Sequence, residues 1–251
     1  MARLLVASRN RKKLAELHRV LEGAGITGLE LLTLDDVPPY DEAPEAGATF
    51  EENAIAKARD GYAATGLPTL ADDSGIAVDA LNGMPGVLSA RWAGGYGDSD
   101  RDIANYRLLL AQLGDVPDQR RGAAFVSVCA LMDGSQDVVV RGEWPGVIAR
   151  EPLGEGGFGY DPVFIPEGET QGDGRSAAQL SPAEKDAASH RGRALRLLVP
   201  ALRELAGGRI EPGRRGRRSV ESSEGLPIVG KVEGAALTDD DVRRLRDDLQ
   251  R

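Results

Sequence analysis

The sequence predicts an α/β fold with a mixed sheet, and three observations carry that reading. Short apolar runs of strand length alternate with segments whose apolar residues recur at helical spacing. The helical segments are bounded by residues that start and stop helices. One pair of alternating segments flanks an Asp-Gly turn, which adds an antiparallel hairpin to an otherwise strand–helix–strand order.

The elements follow in chain order. Leu4 to Ala7 is a short apolar strand. Lys12 to Glu22 places Leu14, Leu17, Val20 and Leu21 on one helical face and stops at Gly23 and Gly25. Leu29 to Leu34 reads as a second strand. Thr49 to Thr65 is a helix: Thr49 and Glu52 have capping-box spacing, and Gly66 and Pro68 end it. Leu67 to Ala71 is a third strand, broken at Asp72-Asp73-Ser74-Gly75, which are ordinary turn residues. Asp98 to Leu113 is a helix ended by Gly114. Ala123 to Met132 and Gln136 to Trp144 are the hairpin strands around Asp133-Gly134. Pro182 to Leu205 is the last long helix, capped by Ser181 with Pro at its first position and Glu184 at its third.

Residues 209–251 read differently. They hold ten basic and nine acidic residues and open on Pro212-Gly213-Arg214-Arg215-Gly216-Arg217-Arg218, which is linker chemistry. A short helix is expected after it, with Thr238 and Asp241 as cap and Val242, Leu245 and Leu249 on one face. The expected organisation is therefore a main domain over 1–208 and a charged appendage over 209–251.

Composition narrows the function classes. The chain has 251 residues, 41% hydrophobic and 28% charged, which is a globular composition. No apolar run approaches the ~20 residues that span a bilayer, and the N-terminus has no signal-peptide pattern. A cytoplasmic location without a membrane partner is the expectation. One cysteine, Cys129, excludes an intrachain disulfide framework and a Cys-based zinc site, and two histidines exclude a His-rich one. A formal net charge of −9 argues against a stable nucleic-acid partner, while leaving room for a local basic patch.

Four clusters could carry chemistry. Ser8, Arg9, Asn10, Arg11, Lys12 and Lys13 lie between the first strand and first helix, where free N–H groups and the helix dipole favour an anion. The Gly-rich pattern of a Walker A loop is missing there. Asp72 and Asp73 adjoin Ser74 at a strand end, with the two carboxylates on opposite sides of the chain; one of them could hold Mg2+ or accept a proton from water. Gly154 to Pro162 sets Phe158, Gly159, Tyr160 and Asp161 among glycines, where backbone can approach a ligand and Phe158 could stack on a base. Lys185, Ser189, His190 and Arg191 lie on the last helix and offer donors to a keto oxygen. Each cluster also has a structural reading: a basic helix start, an Asp-rich turn, a loop around a buried Phe, a core histidine.

Taken together, in order and spacing, the segments resemble the inosine/xanthosine triphosphate pyrophosphatase family. The motifs are Ser8-x-Asn10-x-x-Lys13, Thr49-Phe50-Glu51-Glu52-Asn53-Ala54, Ala71-Asp72-Asp73-Ser74-Gly75, Gly86-x-x-Ser89-Ala90-Arg91, Gly157-Phe158-Gly159-Tyr160-Asp161-Pro162 and Ser189-His190-Arg191-Gly192. The resemblance spans residues 3 to about 205. It departs at Ser8-Arg9, where Thr-Gly is common, and at Glu45 after Pro44, where an acidic pair is common.

The resemblance implies an elongated mixed sheet in a homodimer that hydrolyses ITP, dITP and XTP to monophosphate and pyrophosphate with Mg2+. It implies that Ser8 to Lys13 cradle the triphosphate, that Asp73 is the base or holds the metal, and that Glu45 is a second metal ligand. Phe158 would then stack on the purine, with Asp161, His190 and Arg191 reading its edge and Lys185 near base or sugar. A fixed donor would donate to the 6-keto oxygen of hypoxanthine or xanthine and be left unpaired by adenine. Two other readings are a pyrophosphatase of different nucleotide preference and a non-catalytic nucleotide-binding module; the Asp73 carboxylate speaks against the second.

Overall fold

The longest departure from the sequence reading lies at the centre of the sheet. Strand β3 runs unbroken through ten residues, Thr69–Val78, and does not end at Ala71. The computed structural model describes residues 1–42, 44–94, 101–169 and 174–207, without the side chains of Arg11, Lys12, Pro182 and Asp186. The expected tail helix at 238–249 lies outside the described residues, as does the first part of the helix expected from Asp98.

The order of elements is β1 (Ala2–Val6), α1 (Arg11–Gly23), β2 (Leu29–Leu32), α2 (Phe50–Thr65), β3, α3 (Arg101–Gln112), β4 (Gly122–Met132), β5 (Asp137–Ile148), β6 (Phe164–Pro166), α4 (Pro182–Ala188) and α5 (His190–Ala206). The six strands form one sheet in the order β2-β1-β3-β4-β5-β6. β1 is parallel to β2 and β3, and the remaining pairs are antiparallel, so the sheet is mixed as expected. Every residue of β3 is in register with β4, from Thr69 opposite Met132 to Val78 opposite Ala123. That ladder holds Asp72-Asp73-Ser74-Gly75 extended against their weak strand preference, because cross-strand context outweighs intrinsic propensity.

β1 stops much sooner. Its pairing with β3 ends at Val6 opposite Leu70, closed by the Ala7 N–H to Leu70 carbonyl bond of 2.8 Å. Beyond that point β3 has no strand neighbour on its β1 side. Further along, the Ile76 N–H donates to Ser89 Oγ at 2.9 Å and the Val78 N–H to the Met84 carbonyl at 3.2 Å. The stretch between, Asp72 to Gly75, borders an open cleft.

Alternate side chains of β3 serve two faces. On one face Leu70 packs with Leu4, Val6, Leu17, Cys129, Leu198 and Leu202, under α1 and α5. On the other, Ala71 joins Phe50, Ala54 and Ala58 of α2 and Val126, Val128 and Ala130 of β4. A third cluster around Phe125, Trp144, Phe164, Ile76 and Leu109 fills the α3 end. Among the described residues no helix is long and apolar enough to cross a membrane.

Other boundaries shift for local reasons. β2 ends at Leu32 because Asp36 Oδ2 accepts from the Thr33 N–H at 2.8 Å and its hydroxyl at 2.7 Å, which turns the chain. Thr49 caps α2 through the Glu52 N–H at 3.1 Å, but Glu52 reaches back to the Ala48 N–H at 2.7 Å, one residue short of a reciprocal box. The hairpin loop is four residues long; Asp133 Oδ1 accepts from the Ser135 and Gln136 N–H groups, both at 2.8 Å.

The last long helix is two helices. Ser189 is extended (φ −63°, ψ 154°) and serves both: its N–H caps α4 on the Lys185 carbonyl, and its Oγ accepts from the Gly192 N–H at 3.1 Å to start α5. Serine competes for backbone groups and so favours such a junction over a helix interior. The result places His190 and Arg191 in the first turn of α5.

Arg121 ties α3 to the sheet. It is 3% exposed, and its three guanidinium nitrogens donate to the carbonyls of Ile148 (2.8 Å), Leu113 (2.6 Å) and Ala149 (2.7 Å). Removing it would take a donor from each of these buried carbonyls, of which Leu113 keeps the Val116 N–H at 3.1 Å, at ~1–3 kcal/mol for each one left unpaired before relaxation. Arg121→Met is expected to destabilise the protein by about 3 kcal/mol or more in urea unfolding; a loss below about 1 kcal/mol would show that water replaces the clasp.

Candidate active site

The cleft beside β3 has a volume of about 430 Å3, and its lining comes from α1, α2, β3, α3, the Phe158 loop and the α4–α5 junction. A larger groove of about 570 Å3 between α1 and α5 is lined by neither Asp73, Phe158 nor Lys13.

Opposite pointing along β3 separates the two aspartates. Asp72 faces α1 and α5. It accepts from Lys13 Nζ at 2.8 Å and from Arg191 Nε at 3.4 Å. Arg191, only 4% exposed, also donates to Glu16 Oε2 at 2.9 Å and Ser74 Oγ at 3.1 Å. Burial alone would raise the Asp72 carboxyl; the Lys13 and Arg191 charges overcome it and hold it at about 2. Asp72 thereby fixes Lys13 and Arg191, two of the cations that border the cleft.

Asp73 faces α2 and the cleft. Its Oδ2 accepts from Asn53 Nδ2 at 3.1 Å and its Oδ1 from Lys57 Nζ at 3.2 Å. Asn53 and Lys57 are one helical turn apart, so one face of α2 presents both. Lys57 also pairs with Glu45, whose other neighbour is Arg91 at 3.4 Å. Burial raises the Asp73 carboxyl, and the Lys57 charge and Asn53 bond offset only part of that. For Glu45 burial is outweighed by Lys57 and Arg91, and its carboxyl is lowered. Lys57 itself is raised: its two carboxylates outweigh its burial.

The glycine-rich segment forms a tight turn. Asp161, 2% exposed, accepts from the Phe158 N–H at 2.8 Å and pairs with Lys185. Gly157 has φ +77°, and a Cβ there would collide with the Asp161 carboxylate, so glycine is required twice over. The Gly159 N–H donates to Asp102 Oδ2 at 2.7 Å. Phe158 keeps 38% of its surface exposed, with Lys185 Nζ 4.9 Å from its ring centre. The Tyr160 hydroxyl donates to the Ser89 carbonyl at 2.9 Å.

His190 lies deeper, its ring stacked on Phe125 at 5.0 Å and 15°. Among the described residues its Nδ1 has no hydrogen-bond partner. Burial, reinforced by Arg191 and Lys185, drives its pKa well below the usual value, so the ring is neutral at pH 7. Its height over the sheet depends on Gly142 of β5: a Cβ there would run into the backbone of His190 and Ala194.

Residues 4–201 match the model of the Ham1 family. The chain belongs to the Ham1 family. It is 72% identical over 209 residues to a dITP/XTP pyrophosphatase of Mycolicibacterium paratuberculosis, covering 83% of this chain and all of that protein. A crystal structure of a nucleoside-triphosphatase / dITP/XTP pyrophosphatase from Mycobacterium abscessus superposes with a TM-score of 0.66 at 63% identity, over 80% of this chain and 100% of that one. A HAM1 protein from Coxiella burnetii gives 0.71 at 41% identity, over 81% of this chain and 100% of that one.

The Ham1-family segment contains every candidate residue. Asn10, Lys13, Glu45, Asp73, Ser74, Phe158, Gly159, Tyr160, Asp161, Lys185, His190 and Arg191 all line the cleft. Ser8 and Arg9 do not: the Ser8 hydroxyl accepts from the Asn10 N–H at 3.2 Å, and Arg9 turns outward to Glu42 at 2.6 Å. Asn53, Lys57, Asp102 and Asn105 were missed by sequence reasoning. Asn53 and Lys57 could have been found by extending the Thr49 motif one turn along its helix; the other two had no signal beyond a polar helix start.

The two aspartates have opposite effects on stability. A lowered folded pKa means that Asp72 stabilises above its unfolded pKa near 4, and that this is lost as pH falls towards 2; the shift corresponds to roughly 2 kcal/mol. A raised folded pKa means that ionised Asp73 costs stability at neutral pH. Thermal melts at pH 7 are therefore expected to show Asp72→Asn destabilised, with the deficit shrinking below pH 4, and Asp73→Asn unchanged or more stable. Equal destabilisation by both would contradict the assignment.

Proposed function

We propose that this chain is a nucleoside-triphosphate pyrophosphatase that hydrolyses non-canonical purine nucleotides, XTP, dITP and ITP, to the monophosphate and pyrophosphate with Mg2+, as a cytoplasmic homodimer. The observation that carries the reading is the Asp73 carboxylate, held by Asn53 and Lys57 in one cleft with Lys13 and Arg191 and with the exposed ring of Phe158. Cations suit a polyphosphate, an exposed aromatic ring suits a purine, and an oriented carboxylate suits activation of water. The names printed for the mycobacterial relatives agree with it. Residues 1–208 would suffice for hydrolysis, since the family match spans residues 4–201.

Glu45 and Asp73 would hold the Mg2+. Both pair with the Lys57 ammonium, so the two carboxylates lie on the same side of the cleft. Among the described residues no group of three His, Cys, Asp or Glu side chains could hold a metal by itself. That donor set fits Mg2+, which takes one or two carboxylates and fills its remaining positions with water and substrate phosphates. When bound, it supplies positive charge against the phosphates.

In this reading Lys13 binds phosphate oxygens, and Asn10 adds a hydrogen bond beside it. Asp73 accepts the proton of the attacking water, helped by the burial that raises its pKa; Asn53 and Lys57 orient it. Phe158 stacks on the base. Neutral His190 and the Arg191 guanidinium present donors to a 6-keto oxygen, and Asp161 holds the turn that carries Phe158. ATP offers an amino group at that position and leaves such donors desolvated and unpaired, a difference of ~1–3 kcal/mol for each.

The test is a nucleotide panel in Mg2+ with separate readouts for pyrophosphate and phosphate. XTP, dITP and ITP are expected to release pyrophosphate at kcat/KM at least about a hundredfold above ATP, the ~3 kcal/mol of two lost donors. Release of phosphate, or no preference among bases, would overturn the reading. Asp73→Asn is expected to lower XTP turnover more than a hundredfold. In the parent, kcat/KM is expected to fall at acid pH, where the Asp73 carboxylate becomes protonated and can no longer accept a proton.

A further inference from the structure

We propose that Asp102 is a positioning residue that sets the height of the Phe158–Gly159 turn over the cleft, and with it the surface on which the base stacks. This rests on the reading of Phe158 as the stacking residue. The segment from Gly154 to Gly159 has little packing of its own: residues 154–158 are exposed, and Gly154, Gly157 and Gly159 have φ of 79°, 77° and 62°. Such a segment holds a shape only through hydrogen bonds. Two of them close the turn on itself, from the Phe158 N–H to Asp161 Oδ2 at 2.8 Å and from the Asp161 N–H to the Phe158 carbonyl at 3.2 Å. They fix its shape and leave its place in the protein to other contacts.

Asp102 supplies that place. It lies in the first turn of α3, lines the cleft and accepts from the Gly159 N–H at 2.7 Å, a short charge-assisted bond. One turn along the same helix, buried Asn105 donates to the carbonyls of Ser89 (3.2 Å) and Ala90 (3.3 Å) and accepts from the Ala93 N–H at 2.8 Å. Ser89 Oγ in turn accepts from the Ile76 N–H of β3. A continuous chain of bonds therefore runs from the strand that carries Asp73, through Ser89, Asn105 and Asp102, to Gly159. The Tyr160 hydroxyl joins the same chain at the Ser89 carbonyl. On the other side Lys185 of α4 holds Asp161, so the turn is pinned between two helices. This chain links the stacking surface to the strand of the catalytic carboxylate, beside the packing of Tyr160 in the core.

The experiment compares Asp102→Ala, Asp102→Asn and Phe158→Ala with the parent, using XTP hydrolysis in Mg2+ and inhibition by inorganic tripolyphosphate, a probe with no base. Asp102→Ala is expected to raise the KM for XTP about tenfold with kcat within about threefold, and to leave tripolyphosphate inhibition unchanged. Asp102→Asn keeps an oxygen acceptor for the Gly159 N–H and is expected to restore most of the KM. An unchanged KM in folded Asp102→Ala would overturn the proposal, as would parallel weakening of tripolyphosphate or an Asn variant as impaired as the Ala one. Phe158→Ala separates the two levels. If it leaves KM unchanged, the stacking reading itself fails; if it raises KM while Asp102→Ala does not, only the role of Asp102 fails.

Discussion

The site depends on one mismatch of strand lengths. β3 is paired with β4 over all ten of its residues, while its pairing with β1 ends at Leu70. The antiparallel side keeps Asp72 to Gly75 extended; the missing parallel side opens the cleft along that stretch. Were β1 longer, the same residues would be an interior strand with two charges in a sheet. Were the β4 ladder shorter, they would form the turn their composition favours, and both carboxylates would lose their fixed directions.

Extension is what gives adjacent aspartates unlike chemistry. Asp72 meets Lys13 and Arg191 and is held far into its ionised form; Asp73 meets Asn53 and Lys57, with less compensation for its burial. The first organises cations, and the second is the more basic carboxylate. Pairs of like groups pushed apart in pKa by their surroundings are a common basis for dividing roles in catalysis. Here the division follows from the two-residue period of a strand.

Close backbone approach does the remaining positioning. The first turn of α5 rests on β5 where Gly142 has no side chain, which brings His190 onto Phe125 and Arg191 to Asp72. Ser189 makes this turn a helix start by ending α4 and capping α5 at a single residue. The Phe158 turn is held instead by hydrogen bonds, from Asp102 and within itself, because glycines give it nothing to pack.

Much of the architecture was legible in the sequence, since it rests on local signals. Apolar periodicity marked α1 and the hairpin strands, the Ser181 and Thr49 caps began their helices, and Gly66 and Gly114 ended theirs. The order of motifs located Lys13, Asp73, Phe158, Lys185 and Arg191, all of which meet at the cleft. What only the tertiary structure decided was non-local. Asp72 to Gly75 became strand because a partner far along the chain in register, Ser127 opposite Ser74, outweighed their turn propensity. Lys57 joined Asp73 because α2 crosses that face of the sheet, and Arg9 left the cleft because Glu42 drew it outward. Local sequence carries propensity and period; which carboxylate meets which cation is set by contacts between residues far apart in the chain, and no local pattern records them.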